Sequence, residues 1–250
     1  MENNNSENFY PQIHIDLIKN PNRLWAFPIL GGLIKYIILI PVGIELLGVG
    51  IAALFLLIAN SFVVLFTGKY LKSAYNLFLG FIVLGLKCNF FFSGLTNQYP
   101  GFSLSNTNEI ALNMPYPLKP NRLWAFPIFS GLIRIIMLIP YLIFITVITY
   151  GAGMGQFIGS FKVLFLGIYP ESIYEISRDQ ARVYMASYLY LAGISDKYPS
   201  FRISMHHKVI KILLIIFGAF TLLANSLPKQ TTAPKSINNY NYPNYQQPVK

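Results

Sequence analysis

Pro21-Asn22-Arg23-Leu24-Trp25-Ala26-Phe27-Pro28-Ile29 recurs without a change as Pro120-Asn121-Arg122-Leu123-Trp124-Ala125-Phe126-Pro127-Ile128. The shift is 120 − 21 = 99 positions, and it aligns 13–105 with 112–204 without a gap. Leu39-Ile40-Pro41 falls on Leu138-Ile139-Pro140, Gly68-x-Tyr70 on Gly167-x-Tyr169, and Tyr99-Pro100-x-Phe102 on Tyr198-Pro199-x-Phe201. Roughly a third of the aligned positions are identical. Self-similarity at a fixed period marks a repeated structural unit. The chain therefore reads as a tandem duplication.

Composition sets the solvent. Of 250 residues, 54% are hydrophobic and 11% charged, with a mean hydropathy of +0.49. Soluble domains carry about 25% charged residues, and several apolar runs here approach the roughly 20 residues that cross a bilayer. The expectation is an all-α integral membrane protein. The net charge of +10 comes from 19 basic and 9 acidic residues. Because the basic residues cluster at the ends of apolar runs, they suit anionic headgroups rather than nucleic acid. The single Cys88 allows no internal disulfide and no cysteine-based metal site. After Met1 comes Glu2-Asn3-Asn4-Asn5-Ser6-Glu7, without the positive start of a signal peptide, so the apolar segments are expected to stay in the mature chain.

The organisation follows. Residues 1–11 and the Asn/Gln/Tyr/Pro-rich 229–250 read as disordered tails. Between them lie repeat 1 (12–105), a linker (106–119), repeat 2 (120–205) and a last apolar helix (206–228). Each copy opens with an Arg-Leu-Trp element, so Arg23, Trp25, Arg122 and Trp124 read as headgroup anchors. Residues 24–40 and 123–139 read as short helices ended by Pro41 and Pro140. About 16 residues rise roughly 24 Å, less than the roughly 30 Å hydrocarbon core. These helices are expected to lie in the interface, with Lys35 and Arg134 snorkelling to headgroups; a helical hairpin bent at each proline is the alternative.

Residues 42–66 and 141–166 are long enough to cross, and so are 71–95 and 171–194. Gly151, Gly155 and Gly159 fall on one helix face, the pattern that lets helices approach closely in lipid. Two crossings per copy plus the last helix give about five spans, with both copies in the same orientation. The positive-inside rule then puts the N-terminus in the cytoplasm of an inner-membrane protein. Short alternating runs at 13–17, 102–104, 109–112 and 201–205 suggest a small β-cap on the cytoplasmic side.

Arg-Leu-Trp, the Ile-Pro pair, Leu65-Phe66-Thr67-Gly68-Lys69-Tyr70 and Ser195-Asp196-Lys197-Tyr198-Pro199-Ser200-Phe201, in that order and spacing, resemble the uncharacterised bacterial membrane family catalogued as domain of unknown function 4389. The chain looks like two such domains in tandem. The resemblance implies a membrane domain and no established activity. Two departures stand out: Leu71 where the second copy has Pro170, and Asn97-Gln98 where it has Asp196-Lys197.

Charges in an apolar helix need a reason, since each costs about 2.5–3.5 kcal/mol on insertion scales. Glu171, Glu175, Arg178 and Arg182 share a helix face, and Asp179 is within reach of Arg182. This stripe (Glu175, Arg178, Asp179, Arg182) reads as a polar path, as a water-facing face of an interfacial helix, or as a contact with a partner helix. The histidines have no metal-site spacing, and no catalytic or cofactor motif stands out. The functional expectation is a non-enzymatic scaffold or accessory subunit in the cell membrane. It would contact anionic lipids and other membrane proteins or itself, and no nucleic acid. The alternative is a small transporter or channel using the stripe of 171–194.

Overall fold

The computed structural model describes residues 11–227. The tail readings for 1–10 and 229–250 fall outside that range. Five helices carry the fold: α1 (Leu30–Thr67), α2 (Lys72–Ser93), α3 (Phe129–Leu166), α4 (Glu171–Leu191) and α5 (Lys208–Ser226). Two strands, β1 (Gln12–Ile15) and β2 (Ile110–Asn113), and two 3-10 turns, Leu24–Ala26 and Arg122–Ala125, complete it. Four helices, α1, α2, α3 and α5, are long and apolar enough to cross a membrane. The chain is thus a mostly helical membrane protein. Helix α4, counted from sequence as a fifth crossing, is not among the four, because Glu171, Glu175, Arg178, Asp179 and Arg182 crowd its 21 residues.

The expected short interfacial helices are corrected. Neither 24–40 nor 123–139 is a separate helix: α1 and α3 each start later and run through Pro41 or Pro140 for 38 residues. A proline removes one helical hydrogen bond, but in a long apolar run the turns on either side continue, as membrane helices tolerate. Thirty-eight residues rise about 57 Å, nearly twice the hydrocarbon core of about 30 Å. Each helix is entered through a tight γ-turn. Ile29 and Ile128 stand at φ 67° and 65°, and Leu30 N and Phe129 N donate to Pro28 O (2.8 Å) and Pro127 O (2.7 Å). A β-branched residue there stores about 1–3 kcal/mol, and both copies store it at the same place.

The shared orientation expected of the repeats is also corrected. The Tyr70 hydroxyl, at the start of α2, donates to Ala192 O just past the end of α4 (2.9 Å). Its counterpart Tyr169, at the start of α4, donates to Ser93 O at the end of α2 (3.3 Å). Helices α2 and α4 therefore run antiparallel at the centre of the molecule. The exchange continues outside them: Arg122 Nη2 donates to Thr67 O at the end of α1 (3.2 Å), and Arg23 lies against Gly167 at the end of α3. Equivalent residues make equivalent contacts in both directions, the form of an isologous, two-fold interface. Arg122 consequently sits beside Gly68, at the end of the molecule that carries Lys69. The two Arg-Leu-Trp turns thus lie at opposite ends of the molecule and not on one side.

After each inner helix the chain turns back along it without helix. In the first copy, Lys87 Nζ donates to Ser103 O (2.8 Å) and Tyr75 to Met114 O (2.5 Å). A side chain at Gly80 would meet Leu104 Cβ at 2.9 Å, so glycine is what lets this segment lie close. In the second copy the corresponding segment passes Asp179 and then Glu175. β1 and β2 pair antiparallel, from Ile15↔Ile110 to Gln12↔Asn113. The runs at 102–104 and 201–205 join no ladder; they belong to the return segments. A two-stranded ribbon is marginal alone, and this one is held by burial of Ile15, Ile110 and Leu112 against the α2–α4 core.

Candidate functional site

The 99-residue shift superposes two pockets. Each lies between an Arg-Leu-Trp turn, the end of an inner helix and the far half of the other copy's long helix. Each holds the cation near the start of its long helix, Lys35 or Arg134, and the two pockets treat that cation differently.

In the second copy, Arg134 is 3% exposed. Its Nη1 donates to Tyr190 O and to Ser195 O (3.1 Å), and its Nη2 to Asp196 Oδ1 (2.7 Å). The guanidinium stacks over Trp124 and Tyr190, 5.5 Å and 5.0 Å from the ring centres. Asp196 Oδ2 also accepts from Asn121 N (3.3 Å), so one carboxylate ties the cation to the Pro-Asn-Arg turn. The space left is about 40 Å³.

In the first copy, Lys35 is 5% exposed. Its ammonium donates to Phe92 O at a long 3.4 Å and lies 5.9 Å from the Phe91 ring centre. Where Asp196 stands, this copy has Asn97, whose amide is already committed to Asn22 N (3.2 Å) and Asn20 O (2.9 Å). No carboxylate among the described residues comes within ion-pair distance of Lys35. Around it lies a cavity of about 340 Å³. Neither cation snorkels outward, which corrects the sequence reading. Each folds inward because backbone carbonyls at and just past the end of an inner helix offer it acceptors.

The anchors Trp25 and Trp124 are half-buried and belong to these pockets: Trp25 meets Phe91 edge-on at 5.6 Å, and Trp124 lies under Arg134. Arg23 and Arg122 remain exposed while reaching the other copy's long helix. Of the glycines, Gly151 faces α5 so closely that a side chain would meet Leu214 O at 2.6 Å, and Gly218 on α5 would meet Val147 O at 2.0 Å. Gly155 touches both Leu214 and Ile173, and Gly159 faces Ile173 and Pro170.

The charged stripe of α4 is dispersed. Glu175 accepts from His206 N (3.0 Å) and bonds His206 Nδ1 (2.7 Å). Asp179 accepts from Ser204 N (2.6 Å), Ser204 Oγ (2.6 Å) and Met205 N (3.1 Å). Burial pushes the Glu175 carboxyl up, but the hydrogen bonds and charge of His206 outweigh it and hold the group below the usual carboxylate range. Arg178 is partly exposed, 3.9 Å from Asp179 and over the Tyr174 ring. Arg182 also lies on α4. The buried acids thus hold the second return segment onto α4.

Sequence reasoning missed three participants: Asn97 with Asp196, the Tyr70/Tyr169 pair, and His206. The first two were visible as aligned positions. Nothing in the sequence tied them to Lys35 or Arg134, which lie about sixty residues away.

No family model, no curated protein and no solved structure matches this chain.

Proposed function

We propose that this chain is a non-enzymatic, multi-pass protein of the bacterial inner membrane, a scaffold or accessory subunit of a larger assembly, built from two tandem copies of the unit it resembles. The observation that carries the reading is the use made of the α4 acids. Groups that would line a solute path are engaged in holding a return segment, which disfavours the transporter alternative. The apolar faces of α1, α3 and α5 remain exposed along most of their length, and they offer the surface for lipid and for partner helices. On this reading α4 does not cross, and neither does α2, which α4 matches end to end. The polar return segments, with Ser103, Ser105 and Asn106 exposed, face water, since lipid-exposed non-helical backbone does not persist at membrane depth.

The test is purification of the tagged full chain in mild detergent at native expression, with mass spectrometry of what co-elutes. Stoichiometric membrane partners are expected. Recovery of the chain alone, together with solute flux abolished by Arg178→Gln, would replace this reading with the transporter.

A further inference from the structure

The first-copy cavity has the parts of a ligand site that the second copy lacks. Its cation is nine-tenths buried and has one long hydrogen bond, although an ammonium carries three donors. A buried charge without a counter-ion is costly. The second copy shows how this fold meets that cost, by placing Asp196 against Arg134 at 2.7 Å. The first copy has Asn97 there, its amide turned to Asn22 N and Asn20 O, and open space beside the lysine. At about 340 Å³ the cavity falls in the range of small-molecule sites, against about 40 Å³ in its twin. Its walls include Trp25, Phe92 and Gly153, and its rim is apolar and exposed at Phe27 (48%), Ile29 (78%) and Phe157 (47%).

We infer that the Lys35 cavity binds an anionic amphiphile from the bilayer, a lipid carrying a carboxylate or phosphate and an acyl chain. The anion supplies the counter-charge that Asp196 supplies in the other copy. Lys35 donates to it, the aromatic walls hold the first methylenes, and the chain leaves over the rim into lipid. An apolar rim is what selects a lipid over a free anion, since a soluble phosphate gains nothing from Phe27, Ile29 or Phe157. The inference does not depend on the scaffold reading, because it concerns one cavity and not the partners of the whole chain.

The protein supplies its own reporter. It has two tryptophans, one in each pocket, so Trp124→Phe leaves Trp25 alone in the cavity. The experiment titrates this variant, in neutral detergent, with a brominated stearate and with its uncharged methyl ester, following quenching of Trp25. Saturable quenching by the acid is expected, weaker for the ester by about tenfold, the size of one charged hydrogen bond. Lys35→Met should lose about the same factor. Asn97→Asp keeps the lysine and supplies the counter-ion, so it should also abolish the preference for the acid; an unchanged emission maximum in both variants checks that they fold. The converse reporter, Trp25→Phe, should show no saturable quenching of Trp124. Equal quenching by acid and ester, or an undiminished preference in both variants, would overturn the proposal. Competition by acetate or inorganic phosphate alone would overturn the lipid source in favour of a soluble anion.

Discussion

Lys35 and Arg134 occupy equivalent places at the 99-residue shift, and the residue that faces each goes with a different setting. With aspartate at the far side the cation becomes a strut: it clamps Tyr190 O and Ser195 O, stacks on two rings, and leaves little space. With asparagine there, the shorter cation keeps one long hydrogen bond and a cavity. A second exchange is matched in the same way. Asn60 Oδ1 accepts from Leu71 N at the start of α2 (2.7 Å), while the equivalent pair in the second copy is Gly159 and Pro170. Proline has no N–H to satisfy, and the glycine makes room for Ile173 and Pro170. The copies diverge by compensated pairs.

Four measurements test that contrast. Arg134→Met should cost about 3 kcal/mol or more, because it takes the counter-charge from Asp196 and a donor from both Tyr190 O and Ser195 O. Lys35→Met should cost under about 1 kcal/mol, as it removes an unpaired charge and keeps the volume. Unfolding of both variants in the same detergent decides; equal losses would mean that the two cations do the same structural work. Next in size is the α3–α5 contact, which has no counterpart on α1. Gly218→Ala should lose about 1–3 kcal/mol through overpacking against Val147 O. Gly48→Ala, on α1 with nothing within 4 Å of the added methyl, should be neutral or gain a few tenths. Thermal melts of the pair read the contrast, and a melt of Gly218→Ala equal to the parent's would remove the close crossing.

Asn60→Ala should cost about 1–2 kcal/mol, since the Leu71 N–H loses its acceptor. Amide exchange at Leu71 should quicken in that variant; unchanged protection there would show that the amide is held by something else. The smallest effect is one of pH, and it belongs to the second copy alone, where Glu175 stands at the place of Asn76. The Glu175 carboxyl titrates below its ordinary value of 4.5 in the folded protein. Its contribution is therefore complete above about 4.5 and fades as pH falls through the folded value. The stability advantage of the parent over Glu175→Gln should shrink as pH falls below about 4.5. An advantage that stays constant on acidification would mean that His206 does not bond the ionised form.

Much of this was legible. The apolar helices and the strand character within 13–17 and 109–112 follow from periodicity and composition. The rotation between the copies did not, because an offset in sequence fixes equivalence and says nothing of mutual direction. The reciprocal tyrosines settle it only once Ala192 and Ser93 are known to lie beneath them. The prolines misled for a physical reason. In water a mid-helix proline ends most helices; in an apolar run of this length the flanking turns have no better use for their polar groups. The cations misled likewise, since snorkelling is the default for a lysine near a helix end. The competing acceptors, Phe92 O and Tyr190 O, are supplied by packing that no local pattern encodes.

The reciprocal contacts between the copies have a consequence for how such a molecule can change. Two identical subunits meeting across this interface would carry two identical pockets, and any mutation in one would appear in the other. Joining the halves in one chain keeps them together at high effective concentration and releases them from that identity. One pocket can then be closed as a fastening while its twin keeps a cavity, a division of labour that a symmetric pair has no means to write down.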